Sequence, residues 1–137
     1  MANALYDKAR ERFLTADLNW MAVEIKALLV NTASYTVNLA TDLTVADIPE
    51  GMRVKVSNAS FITKTATGGA ADAADITFAA VSGDNCEAIV IYQHVDGNPS
   101  NNKLIAYIDT ATGLPITPNG GDIIVTFDNG PNRIFKL

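Results

Sequence analysis

His94 and Cys86 are the only histidine and the only cysteine of this 137-residue chain. A thiol activated by an imidazole would be a nucleophile for acyl transfer, provided the two groups come within hydrogen-bond reach. Their spacing denies it. Both lie in "CEAIVIYQHV" (86–95), which reads as a single strand. Eight residues at ~3.3 Å each would set them about 26 Å apart, so they could meet only across two chains. Cys86 is therefore expected to be a small buried hydrophobe, and His94 a surface or strand-end residue. One Cys and one His cannot make a structural zinc site. Asp72 and Asp75 in "DAAD", and Asp96 with Asn98 in "DGN", offer oxygen ligands on loops. Neither stretch has the dense alternating carboxylates of a calcium loop. The glycine pairs 68–69 and 120–121 lack both the Lys-Ser/Thr that follows a phosphate loop and the G-x-G-x-x-G spacing, and read as turns. No Asp or Glu sits among the aromatic residues that would hold a sugar between two carboxylates. Asn58-Ala59-Ser60 matches a glycosylation acceptor, which has no use without a secretory leader. The residue inventory thus predicts no enzyme, no metal and no cofactor, and points to a binding or structural module.

The elements around these residues are mostly β. "WMAVEIKALLV" (20–30) alternates, with Met21, Val23, Ile25, Ala27 and Leu29 on one face and Glu24 and Lys26 on the other. "YTVNL" (35–39), "RVKV" (53–56), "FITKTAT" (61–67), "ITFAAV" (76–81), "KLIAYID" (103–109), "DIIVTF" (122–127) and "RIFKL" (133–137) are further strand candidates. "CEAIVIYQHV" is apolar on both faces apart from Glu87 and Gln93, which predicts a central strand. "TDLTVADIPEG" reads as a short helical turn or loop, and "GGAADAAD" as a flexible connection. Asp128-Asn129-Gly130 predicts a hairpin between the last two strands, although Pro131 disturbs a two-residue turn. About eight strands with turn punctuation, and no helices alternating with them, predict an antiparallel sandwich or barrel. One domain suffices for this length.

The chain begins differently. Five of its 25 charged residues fall in the first twelve positions. Ala2, Tyr6, Ala9 and Phe13 recur at helical spacing, with Leu5 and Leu14 beside them. Asn3 is the expected N-cap, and "TADLN" (15–19) the helix stop. Residues 1–19 are thus read as a helical arm with a hinge, and residues 20–137 as the β domain. A helix of about 12 residues is marginal alone, so its apolar stripe must land on its own sheet or on a neighbour. The tail "RIFKL", ending on an apolar residue, is the other unusual feature.

Net charge is −5, all of it carried by residues 69–137, with eight acidic and three basic side chains. Residues 1–68 balance at seven of each. An acidic half predicts no nucleic-acid face, which needs clustered Lys and Arg. No apolar run reaches the roughly 18 residues needed to span a bilayer. The charged start is unlike a secretory leader, which predicts assembly in a cytoplasm.

Five phrases together carry a resemblance: "MANALYDKARERFL", "VNTASYTVNLATDL", "DIPEGMRV", "SGDNCEAIVIY" and "LIAYIDTATGLPITPNGGDIIVTFDNG". The chain resembles a family of small structural proteins of tailed bacteriophages, of the capsid decoration or cement type. That resemblance runs through nearly the whole chain and implies a β-sandwich or jelly-roll body bound to the outside of the major capsid protein shell. It implies a virion location and a homo-oligomer, dimer or trimer. It also makes the arm a candidate partner interface through Leu5, Tyr6, Arg10, Arg12, Phe13 and Leu14, with the two arginines facing shell carboxylates. A neck, tail or fibre-associated protein and a carbohydrate-binding adhesin are the alternatives. The loops 96–102 and 111–121 carry no aromatic residue, which counts against the adhesin.

Overall fold

The computed structural model describes residues 3–111, 113–127 and 133–137. In chain order the strands are β1 (Ala4–Leu5), β2 (Ile25–Val30), β3 (Arg53–Val56), β4 (Ala70–Ala71), β5 (Ile76–Phe78), β6 (Ala88–Gln93), β7 (Lys103–Ile108), β8 (Ile123–Val125) and β9 (Phe135–Lys136). The helix α1 (Asp7–Leu14) lies between β1 and β2. The fold is mainly β, and every pairing is antiparallel. A five-stranded sheet runs in the order β1-β7-β6-β2-β3, and β4–β9 and β5–β8 form two separate pairs.

The predicted central strand is central. β6 lies between β2 and β7, with Val90 opposite both Leu28 and Tyr107. Ala88 to Tyr92 are all buried, because an unbroken apolar run gains only when both its faces are covered. Ile25, Leu28, Leu29, Val30, Ile91, Leu104 and Ile105 extend the same core, which Phe78, Val81 and Ile48 join from outside the sheet. Each such side chain contributes about 1.5–3 kcal/mol of burial free energy.

Cys86 is fully buried at the start of this run, its backbone bonded both ways with Ile116 at 2.9 and 2.8 Å. Burial, aided by the nearby Glu87 and Asp84 charges, pushes its thiol up to about 11. Only the thiolate reacts, so Cys86 should resist a thiol reagent at pH 8 in native buffer and react at once in guanidinium. Rapid native labelling would contradict this burial.

Several expected elements take other forms. The strand expected over 20–30 starts only at Ile25. Asn19 captures the chain ahead of it, accepting from the Ala22 and Val23 amides at its carbonyl and from the Met21 amide at its side chain. "YTVNL" is not a strand. Asp42 accepts from the Asn38 amide, and the Asn38 side chain accepts from the Ala40 and Thr41 amides, so local side chains take the groups a ladder would need. "FITKTAT" is also irregular apart from one bridge, Thr65 to Asp72, and Thr63 adopts a positive φ of 54°. "GGAADAAD", expected as a flexible connection, supplies β4, with Ala70, Ala71 and Ala73 buried. The hairpin expected between 122–127 and 133–137 does not form: β8 pairs with β5, and β9 with β4. The Asp128-Asn129-Gly130 turn and Pro131 lie outside the described residues.

The start of the chain is corrected too. Asn3 does not cap the helix. Its side-chain oxygen accepts from the Asp109 and Thr110 amides, each at 2.9 Å, which places β1 beside β7. The helix begins at Asp7, and Tyr6, in extended conformation, occupies its N-cap position. Ala2 lies outside the described residues. The expected stop holds: Ala16 takes a left-handed φ of 61°, and the Asp17 and Leu18 amides both turn back to the Arg12 carbonyl.

Candidate functional site

An eight-residue helix cannot hold itself in water, so α1 must be held by what it packs on. The Tyr6 amide donates to the Ile105 carbonyl of β7 at 3.0 Å, and the Asp7 amide to the Leu39 carbonyl at 2.8 Å. Tyr6 and Ala9 are fully buried and Leu5 nearly so. The Tyr35 hydroxyl donates to Asp42 at 2.8 Å, so the 3.1 Å contact between the two phenols has Tyr6 as its donor. Arg12 also points inward. Its Nε donates to Asp17 at 2.8 Å, its Nη2 to Gln93 at the end of β6, and its Nη1 is buried without a partner among the described residues. The Arg12 hydrogen bond and charge hold the Asp17 carboxyl below its ordinary range. Arg10 lies on the surface, paired with Asp7 at 2.8 Å. Phe13 is half-buried, and Leu14 is 88% exposed.

The six residues read from the sequence as an interface are therefore divided. Leu5, Tyr6 and Arg12 face the chain's own body, Arg10 and Leu14 face outward, and Phe13 is half-buried against the core. Phe13 opens onto a groove of about 430 Å3 that the linear reading missed. Leu18, Trp20, Met21, Phe135 and Leu137 share its lining. Trp20 packs edge-on against Phe135, ring centres 5.3 Å apart, and Phe13 meets the same ring at 6.1 Å. Met21 and Leu137 stay 51% and 64% exposed, a large apolar surface to leave in water. The Trp20 indole nitrogen is buried with no hydrogen-bond partner among the described residues. The only signal in the sequence was the apolar end of "RIFKL". Nothing local showed that β9 would lie beside the end of α1.

No protein-family model matches this chain, and no curated protein matches it. The surface must therefore be read from its own chemistry.

A second concavity, about 330 Å3, lies on the sheet between β3 and the end of β6. Leu28, Val45 and Val56 give it apolar walls, and Arg53, Lys55, His94 and Asp96 give it polar ones. His94 follows the last residue of β6. Its amide donates to the Glu24 carbonyl at 2.8 Å, and its ring stands 6.1 Å from that of Tyr92. Its Nδ1 is buried without a partner among the described residues. No Ser, Thr or Cys lines this cleft. The Asp96 carboxylate is turned to its own loop, accepting from the Asn98 amide at 2.7 Å and the Asn101 side chain at 2.9 Å, and these bonds hold its acid below the usual range. Among the described residues, no three His, Cys, Asp or Glu side chains converge on a point that could hold a metal ion. No helix among them is long and apolar enough to cross a membrane.

Proposed function

We propose that this chain is a structural protein of a tailed-bacteriophage virion, a decoration or cement protein seated on the outside of the major capsid shell. The phrase-level resemblance supplies the virion. The observation that carries the adhesive role is the groove of Phe13, Trp20 and Phe135, with Leu14, Met21 and Leu137 exposed at or near it. On this reading the five-stranded sheet and the two smaller strand pairs belong to a jelly-roll-like sandwich body. The groove is its foothold on the major capsid protein, and copies associate as dimers or trimers around the symmetry axes of the shell. Work is done by contact alone: many identical sites, each burying a few apolar side chains, add up through repetition over the lattice.

Leu14 is the most exposed large hydrophobic side chain among the described residues. Its burial against a shell would contribute about 1.5–3 kcal/mol, a tenfold or greater change in affinity. The double variant Leu14→Glu with Met21→Glu should keep the wild-type melting temperature and bind undecorated capsids at least tenfold more weakly. Quantitative mass spectrometry of washed virions should find the chain in many copies per particle. A copy number typical of a neck component would move the site to the neck, and absence from washed particles would end the proposal.

A further inference from the structure

We propose that the cleft on the sheet face between β3 and the end of β6 binds a small organic carboxylate. Its charged end meets the side chains of Arg53 and His94, and its hydrocarbon body lies against Leu28, Val45 and Val56. This site is apart from the groove at Phe13 and does not rest on the capsid reading.

Register places the side chains. Residues directly opposite one another in an antiparallel ladder share a face of the sheet. Lys26, Leu28 and Val30 alternate along β2 and stand opposite Tyr92, Val56 and Arg53. Arg53, Leu28, Val56 and Tyr92 are therefore on one face, and the bulge at Val54 leaves these pairs intact. His94 joins them: it lies two residues past Tyr92, and its amide carries the ladder on to the Glu24 carbonyl. Lys55, opposite Leu29, belongs to the other face. Two loops wall this face in, one through Val45 and one through Pro99 and Asn102. The Val45 amide ties them together by donating to the Asn102 carbonyl at 2.9 Å. The enclosed volume of about 330 Å3 is at the small end of ligand-binding clefts.

Unsatisfied donors select the occupant. Arg53 donates its Nε to the Ile48 carbonyl at 2.8 Å, which fixes the guanidinium, and its two Nη groups have no hydrogen bond or ion pair among the described residues. The His94 ring makes no hydrogen bond among them either, and its Nδ1 is buried. A buried polar atom is costly until something bonds it. The carboxylates nearest to His94 in the chain are engaged elsewhere. Asp96 accepts from the Asn98 amide and the Asn101 side chain, and Glu24 accepts from the Ser60 hydroxyl. An external anion is the complement that the two side chains lack. A guanidinium with both Nη groups open matches the two oxygens of a planar carboxylate. The apolar walls favour a hydrocarbon body over a bare inorganic ion.

The test titrates the full chain with hexanoate, hexanol and inorganic phosphate, followed in amide NMR spectra. Hexanoate should saturate one site, shift the Arg53, Val56 and His94 amides together, and bind about tenfold more tightly than hexanol or phosphate. Arg53→Gln should remove that tenfold advantage and leave hexanol binding unchanged. His94→Phe keeps an aromatic ring and removes no hydrogen bond seen in the fold, and it should weaken hexanoate alone. Val56→Glu, at an exposed position on the same face, should repel hexanoate without touching the Arg53 bond to Ile48. Shifts that grow with hexanoate and never saturate overturn the proposal. So do hexanol or phosphate binding as tightly as hexanoate, saturation confined to the groove at Phe13, or folded variants that bind hexanoate as the wild type does.

Discussion

Replacing Tyr6 by Ala should destabilise the protein by about 3–5 kcal/mol, the cost of emptying a fully buried aromatic site. Domains of this size are stable by about 5–15 kcal/mol, so the variant should lose about a fifth or more of its stability in urea. Tyr6→Phe keeps the ring and removes only the hydroxyl, and should cost about 1 kcal/mol. The ratio of the two losses reports what Tyr6 does: it fills space in the sheet's own core, and its bond to Tyr35 is the smaller part. The outcome also bears on the N-terminal segment. Were this helix swapped onto a neighbouring copy, the midpoint would rise with protein concentration. With Tyr6 and Ala9 buried in the same chain, midpoints at low and high concentration should coincide. For the same reason, removing residues 1–19 should unfold the body and not merely free it of an appendage. A truncated protein with the full-length midpoint would refute that packing.

The second large effect is alkaline. The chain has four tyrosines, and all four are at least nine-tenths buried. Burial, the leading cause for each, raises the phenols of Tyr6, Tyr35 and Tyr107 and pushes Tyr92 up to about 12. A phenol raised in the fold stays protonated where the unfolded chain, near pH 10, has begun to ionise. The full stability is therefore present below pH 10 and is lost as pH climbs above it. The loss is about 1.4 kcal/mol per pH unit for each tyrosine held neutral. Between pH 10 and 12 Tyr6, Tyr35 and Tyr92 alone oppose the fold by an amount that is a large part of its stability, and Tyr107 adds to it. Absorbance at 295 nm should stay flat until circular dichroism reports unfolding, after which all four phenolates appear together. Tyr6→Phe combined with Tyr35→Phe should make the decline about half as steep. A gradual phenolate signal centred near pH 10 in folded protein would refute the burial of these rings.

Both effects grow from a residue that the sequence misplaces. Tyr6 lies on a helical stripe only if the helix starts near Ala2. The chain instead enters as a strand, because Asn3 clasps the end of β7 and the Tyr6 amide reaches Ile105, contacts more than 95 residues away in sequence. Periodicity marks the apolar face of a segment and says nothing of where that face lands. Phe13 and Leu14 were legible as surface candidates for the same reason that Trp20 and Phe135 were not. The first two belong to one local pattern, whereas the groove exists only where the helix end and the last strand come together.

Sequence alone determined the elements whose environment is dictated locally. The unbroken apolar run of β6 requires cover on both faces, the apolar run of β7 and the second half of 20–30 read as strands, and the polar stretch after Leu14 ends the helix. It also settled that Cys86 would be buried, since a small thiol within such a run has nowhere else to go. Tertiary structure decided the partners. β8 leaves the hairpin offered by its neighbour in sequence and pairs with β5, and β9 pairs with the alanine-rich β4. At 35–39 and 61–67, strand-forming residues gave way to side-chain hydrogen bonds and bends. Strand propensity is worth little per residue beside the burial and hydrogen bonds that a particular neighbour supplies, and the identity of that neighbour is a property of the whole chain.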